Sequence, residues 1–439
     1  MIDSGNASET TNMTNSPHSN LAMKILPVRE QADIRNGWLK QRLDKVILPI
    51  MQRESLDMWI VDAREYNEDP VIMSLLPEPA MSARRRTILL FWCKQDGILE
   101  RMSLDRYGFG DFYKAGWNPD TESQFECLGR MVREINPASI GVNYSQTFAF
   151  GDGLTHSEYE QILAAIGPEY AGRVRSAERL SVGWLEKRIQ PELDAYPGIL
   201  EISNAIIDEA FSSRVIHPGS TTTDDVVWWM RQKMTDLGLQ AWFQPTVELQ
   251  AAGELPPPIG KTNPEERKLI QPGDLLHCDM GFYYLGLATD QQQLAYVLKP
   301  GEMDLPEGLK AGMAAANRLQ DILLEFMQPG RTGNQVLKDA LDKARAEGIE
   351  PMVYTHPLGY HGHGAGPTIG LWDQQGGVSG AGDYELTNST VYAIELNVQQ
   401  PVPEWDGQVV MFGLEEDAAL VDGRMRWLSG RQEKFHVIG

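Results

Sequence analysis

Leu275-Leu276-His277-Cys278-Asp279-Met280-Gly281-Phe282-Tyr283-Tyr284-Leu285-Gly286-Leu287-Ala288-Thr289-Asp290-Gln291-Gln292-Gln293-Leu294-Ala295-Tyr296-Val297 reads as two apolar strands, each carrying one aspartate. Asp279 and Asp290 lie symmetrically about the Tyr284-Leu285 midpoint, so a tight hairpin there sets them face to face. Directly opposed residues of an antiparallel pair share a face with their Cβ atoms roughly 5 Å apart, close enough for both carboxylates to hold one cation. A second stretch repeats the device. Glu395 in Val391-Tyr392-Ala393-Ile394-Glu395-Leu396-Asn397-Val398 and Glu416 in Leu414-Glu415-Glu416-Asp417 are symmetric about Trp405-Asp406, beside an Asp406-Gly407 turn signal.

A single acidic residue in a strand ordinarily faces solvent. Acidic residues between apolar neighbours such as Ala393, Ile394 and Leu396 are disfavoured in strands, and four such placements with paired symmetry call for one cause. With His356 they make a set of four carboxylates and one imidazole. Buried without counter-charge, such a set would repel itself; two divalent cations would neutralise it. Carboxylates with one imidazole suit Mn²⁺, Co²⁺, Fe²⁺ or Zn²⁺ without selecting among them.

In the order of these residues the chain resembles the M24 metallopeptidases of pita-bread fold, which include Xaa-Pro aminopeptidase, prolidase and creatinase. The resemblance rests on Asp279 and Asp290 at the Asp-x10-Asp spacing, His356-Pro357-Leu358-Gly359, Glu395, and the Glu416-Asp417 pair. It covers about residues 176 to 430. It implies an α/β protein with a disordered tail over 1–22, a smaller creatinase-type α/β domain over 23–175 and a pita-bread catalytic domain over 176–439. It also implies that Asp290 and Glu416 bridge two metals, that Asp279 completes one, and that His356 and Glu395 complete the other, with Glu395 shuttling a proton. Homodimerisation, with the N-terminal domain as contact and lid, is implied in the same way.

Three of the eight histidines crowd into Thr355-His356-Pro357-Leu358-Gly359-Tyr360-His361-Gly362-His363-Gly364. His363-Gly364-Ala365-Gly366 fits the same short motif as His356, so both are candidate ligands. His356 is preferred because aminopeptidase members carry a substrate-contacting His after the ligand, and only His356 has such residues downstream. His363 is then the candidate for holding the tetrahedral intermediate, with His361 as the substitute. Departures bear on specificity. Gln250–Pro258 lacks the His of peptidase members, Gln291-Gln292-Gln293 stands for Thr-Arg-Thr, Leu414 for an Arg, and Leu396-Asn397 for Pro-Gly.

The 439 residues, 42% hydrophobic, suffice for two ordinary cores. A formal charge of −22, with 39 Lys and Arg against 61 Asp and Glu, argues against a nucleic-acid surface, which needs clustered cations. The basic cluster Arg84-Arg85-Arg86 reads as a solvated strand entrance. No run spans a bilayer, the first residues lack signal-peptide character, and Cys93, Cys127 and Cys278 are odd in number and widely spaced; a cytoplasmic location is expected.

Strands are expected at Met58–Val61, Ile88–Trp92 and Ser139–Val142, and helices at Ser123–Glu134 and Ser157–Ile166, an alternation typical of an α/β layer. A helix follows from Pro191, with its apolar stripe at Ile199, Ile202, Ile206 and Ala210. Another runs from a Thr222 or Thr223 cap to Gly238 and carries Trp228 and Trp229, at least one of them core. Helices over Glu307–Met327 and Asn334–Glu347 precede the His segment. Two helices and a metal hairpin, twice over, amount to an internal duplication.

The expected chemistry is hydrolysis of an amide or related C–N bond, with a water shared by two cations activated as hydroxide. An aminopeptidase or dipeptidase of Xaa-Pro type comes first. A lyase or C–N hydrolase acting on a small non-peptide molecule, and a metal-free binding protein on the same fold, are the alternatives. Trp242, Phe243, Trp372 and Trp405 are further aromatic residues that could line the cleft.

Overall fold

A computed structural model describes residues 21, 24–94, 97–254 and 268–439. The tail expected over 1–22 lies outside the described residues except for Leu21, as does 255–258 of the segment lacking a His.

Met58–Arg64 is apolar throughout its first half, and such a strand must be covered on both faces. It sits inside a six-stranded mixed sheet, antiparallel to Arg86–Cys93 and parallel to Ile140–Val142, with Val174–Ser176 at one edge. Strand alternation sends Met58, Ile60 and Leu90 to one side, against Leu128, Val132 and Ile162. Those partners come from the helices Gln124–Ile135 and His156–Ile166, each opened by a capping box, on Ser123 with Glu126 and on Thr155 with Glu158. Trp59, Val61, Leu89 and Phe91 face the other way, into a core that continues through Leu200, Leu276 and Phe282. The N-terminal sheet therefore shares apolar packing with the second half of the chain.

That second half begins with Gln190–Ala210, which buries Ile199, Ile202, Ile206 and Ala210 as the stripe requires. Thr223–Asp236 follows, capped by Thr222 and Asp225 and ended near Gly238 in the left-handed region. Trp229 packs against the core, whereas Trp228 is exposed. Next comes a sheet in the order His436–Ile438, Gln291–Val297, Leu275–Met280, Thr246–Gln250. The helices Glu307–Phe326 and Gly333–Ala346 lead into the remaining strands, Glu350–Val353 and His356–Leu358, Thr390–Ala393 and Leu396–Val402, Gln408–Leu414 and Asp417–Val421. Two helices followed by antiparallel strands occur twice.

A buried charge cluster joins the halves. Arg42, from the helix Val28–Lys45, lies 3.0 Å from Glu192, with both side chains wholly buried, and Arg188 lies 3.5 Å from the same carboxylate. Tyr360 donates its hydroxyl to Glu192 at 2.9 Å, and the Arg42 and Arg188 guanidiniums lie 4.8 and 4.3 Å from its ring centre. Burial opposes ionisation of Glu192, but Arg188 and Arg42 hold its carboxyl below the usual range. Removing one partner of such a group strands buried charge. Glu192→Ala is expected to lower unfolding free energy by about 3–5 kcal/mol, read by urea denaturation.

Candidate metal centre

Register decides which side chains meet. In the first hairpin Tyr283 pairs with Ala288 and Tyr284 with Leu287, so Leu285 and Gly286 form the turn, both at positive φ. A two-residue turn of that hand needs left-handed backbone at both central positions, and Gly286 meets the need without a Cβ penalty. The turn is thus centred one residue beyond the Tyr284-Leu285 midpoint, and Asp279 pairs with Gln292 rather than with Asp290. Because the partner shifts by two residues, Asp279 and Asp290 keep a common face.

In the second hairpin Val402 pairs with Gln408 and Leu396 with Leu414. A turn of 3-10 helix over Pro403–Trp405, then Asp406 and Gly407 at positive φ, closes it. The pairing is centred on Trp405 itself, which sets Glu395 opposite Glu415, not Glu416. A one-residue slip changes the face of every side chain. Ile394, Leu396, Leu414 and Ala418 enter the helix-side core, which leaves Glu395 and Glu415 for the other face. This corrects the choice of Glu416.

Glu416 points to the opposite side. Its carboxylate accepts from Gln291 at 2.9 Å and from the Gln432 backbone N–H at 2.9 Å, with Gln293 at 3.5 Å. Glu415, by contrast, joins Asp290 and His356 in one buried group whose ligand-type atoms all lie within 4.8 Å of one another. His356 Nε2 is 3.5 Å from Asp290 Oδ2 and 3.7 Å from Glu415 Oε1. The strand His356–Leu358 puts it there by pairing His356 with Ala393.

Electrostatics expose the strain of this group. Burial, then the charges of Asp279 and Glu395, push the Asp290 carboxyl well above its ordinary value. Burial and neighbouring carboxylates do the same to Asp279 and Glu415, and burial lifts Glu395 to about 7. His356 is driven down to about 3 by burial and by His363. Asp279 Oδ1, His356 Nε2 and Glu415 Oε1 are buried with no hydrogen-bond partner. Buried polar atoms without partners are costly, and acidic oxygens with a neutral imidazole nitrogen are the donor set that divalent cations take. The residues present therefore fit the metals expected from the sequence.

His363 stands on the solvent side, its ring 4.8 Å from that of His356 and its Nε2 3.3 Å from the Tyr354 hydroxyl. His361 turns away and packs 4.6 Å from Phe150 of the N-terminal half, lining a cleft of about 620 Å³ with Trp38, Tyr283 and Tyr360. Trp242 packs edge-to-face against Phe243 and His363; Trp372 is exposed and Trp405 is buried in the core. Glu415, Gln292 and Tyr354 are the site residues that the sequence pattern did not single out. The 3-10 loop at Pro403–Trp405 was the available signal for Glu415, since an odd-length connection moves the register by one.

A sequence profile described as metallopeptidase family M24 matches residues 199–422, a span that holds every one of these acidic residues and His356. The chain belongs to metallopeptidase family M24. Its fold is that of solved M24 proteins, α/β with the pita-bread arrangement. An X-Pro aminopeptidase from Thermotoga maritima superposes with a TM-score of 0.61 at 16% identity, covering 89% of this chain and 99% of that one. An Xaa-Pro dipeptidase from Bacillus anthracis gives 0.61 at 15% identity, covering 91% and 100%. A prolidase from Pyrococcus furiosus gives 0.54 at 13%, covering 88% and 99%. No curated protein matches the chain in sequence. In this M24 chain the position two residues before Glu415 is Gly413, so the departure assigned above to Leu414 moves there. No helix among the described residues is long and apolar enough to cross a membrane.

Proposed function

We propose that this M24 hydrolase binds two divalent cations and cleaves the amide bond next to an amino-terminal residue, with Xaa-Pro peptides as its substrate class. The observation that carries the reading is the buried Asp290, His356 and Glu415 group with its unpartnered ligand atoms. Asp279 and Glu395 complete the set. When bound, the cations lower the pKa of a water and polarise the scissile carbonyl. Glu395 would act as base for the attacking water and would return that proton to the leaving amine. His363, with the Tyr354 hydroxyl behind it, donates to the oxygen that becomes negative at the tetrahedral stage.

Manganese, cobalt, iron or zinc all suit this donor set. Homodimerisation and a cytoplasmic location belong to the same proposal; the free Cys93, Cys127 and Cys278 fit a reducing compartment. A second reading, cleavage of a C–N bond in a small non-peptide molecule, draws support from His361, which packs on Phe150 and leaves His363 as the imidazole beside His356. The test is mass-spectrometric product analysis of the Mn²⁺-loaded protein with Xaa-Pro dipeptides, Xaa-Pro-Yaa peptides and matched peptides lacking proline. Release of the first residue from proline substrates is expected. No cleavage of any peptide, with turnover of a small amide or amine, would shift the assignment to the second reading.

A further inference from the structure

On the basis of that metal site, we propose that Gln292 is a positioning residue that holds the Glu395 carboxylate, and that His277 sets the direction of the Gln292 amide. Gln292 Nε2 lies 2.8 Å from Glu395 Oε1, and Gln292 Oε1 lies 3.0 Å from His277 Nε2. A carboxylate can only accept, so the amide NH₂ faces Glu395 and the amide oxygen faces His277, whose Nε2 must then carry the hydrogen. His277 Nδ1 has no hydrogen-bond partner and stands 3.9 Å from Glu248 Oε2. The direction of each group in the row His277, Gln292, Glu395 is thereby determined by its neighbour.

The backbone holds Gln292 as firmly. It pairs with Asp279 on one side and bridges to Glu415 on the other, its N–H donating to the Glu415 carbonyl oxygen at 3.1 Å and its own carbonyl oxygen accepting from the Glu415 N–H at 3.2 Å. Gln292 thus stands between two of the proposed ligand carriers. Room for the row comes from Gly413: a Cβ there would lie 2.9 Å from His277 Nε2 and 3.5 Å from Gln292 Oε1.

The choice of an amide has a physical reason. Gln donates one N–H and adds no charge. With Oε1 engaged, the other Glu395 oxygen, which accepts no hydrogen bond among the described residues, is the one left to face a cation or a proton.

Mn²⁺ titration against a competing chromophoric chelator tests this without any substrate. The proteins compared are wild type, Gln292→Leu, His277→Phe and His277→Gln, each checked for a cooperative unfolding transition. Wild type is expected to bind Mn²⁺, Gln292→Leu to bind it roughly 10–100-fold more weakly, as loss of a partner behind a ligand does, and His277→Phe to weaken in the same direction. His277→Gln still supplies an N–H to the Gln292 oxygen and should recover most of the affinity. Wild-type affinity in Gln292→Leu would overturn the proposal, and equal weakening by His277→Phe and His277→Gln would overturn the part assigned to His277. Should Gln292→Leu not fold, the two His277 variants decide. Absence of Mn²⁺ binding by wild type would instead overturn the metal reading beneath.

Discussion

Glu415→Ala is expected to abolish turnover, lowering kcat/KM by about a thousandfold or more, while Glu416→Ala leaves it within roughly tenfold of wild type. The first figure follows if Glu415 helps to hold cations that stabilise transition-state charge by about 4 kcal/mol, each 1.4 kcal/mol being tenfold in rate. The second follows because Glu416 lies behind the sheet, where it accepts from Gln291, Gln293 and the Gln432 backbone. Its loss should appear as stability, about 1–3 kcal/mol, because buried donors are left unpaired. Steady-state kinetics together with thermal unfolding of the two variants separates the roles. The reverse pattern, with Glu416→Ala inactive and Glu415→Ala active, would mean that the second hairpin pairs in the other register in solution.

Chelated protein should lose stability as pH rises from 5 to 8, and metal should restore most of it. The sign follows from proton uptake. Asp279, Asp290 and Glu415 are raised well above their ordinary values in the folded protein, and Glu395 and Glu416 are raised to about 7. At these carboxylates the folded form therefore holds more protons than the unfolded form between the ordinary carboxylate range and about pH 7, whereas His356, lowered to about 3, works the other way below the ordinary imidazole value. Stability from the carboxylates is complete below their ordinary range and is lost as pH rises through their folded values. For Glu416 alone, a rise from 4.5 to about 7 corresponds to about 3 kcal/mol. Cations remove the repulsion among Asp279, Asp290, Glu395 and Glu415 but do not reach Glu416, so loaded protein should keep a smaller slope. The gap in Tm between loaded and chelated protein is expected to widen by about 5 °C between pH 5 and pH 8. A gap of the same size at both values would show that these carboxylates are not what the metal neutralises.

The elements of the fold were legible in the chain because they are marked locally. Thr222 with Asp225, Ser123 with Glu126 and Thr155 with Glu158 announce helix starts, and the Ile199, Ile202, Ile206, Ala210 stripe gives one helix its buried face. The acidic strand positions were legible for a related reason, since carboxylates between apolar neighbours are conspicuous. Strand register was not. It depends on how each turn spends its residues, and Leu285 in the left-handed region is not something a leucine advertises. In the first hairpin the resulting shift left the faces unchanged. In the second, the 3-10 turn at Pro403–Trp405 moved the pairing by one residue and exchanged Glu416 for Glu415. The His277, Gln292, Glu395 row was hidden for a further reason: it joins side chains from the strands Leu275–Met280 and Gln291–Val297 and from the break between Thr390–Ala393 and Leu396–Val402, and nothing local in any of them marks the contact.

Metal content measured by elemental analysis on protein purified without chelator and reloaded with Mn²⁺, for wild type, Glu415→Ala and Glu416→Ala, tests the binuclear centre most directly. About two metals per chain in wild type and in Glu416→Ala, with loss in Glu415→Ala, is the predicted result. Metal-free wild type after Mn²⁺ loading, or undiminished content in Glu415→Ala, would contradict it.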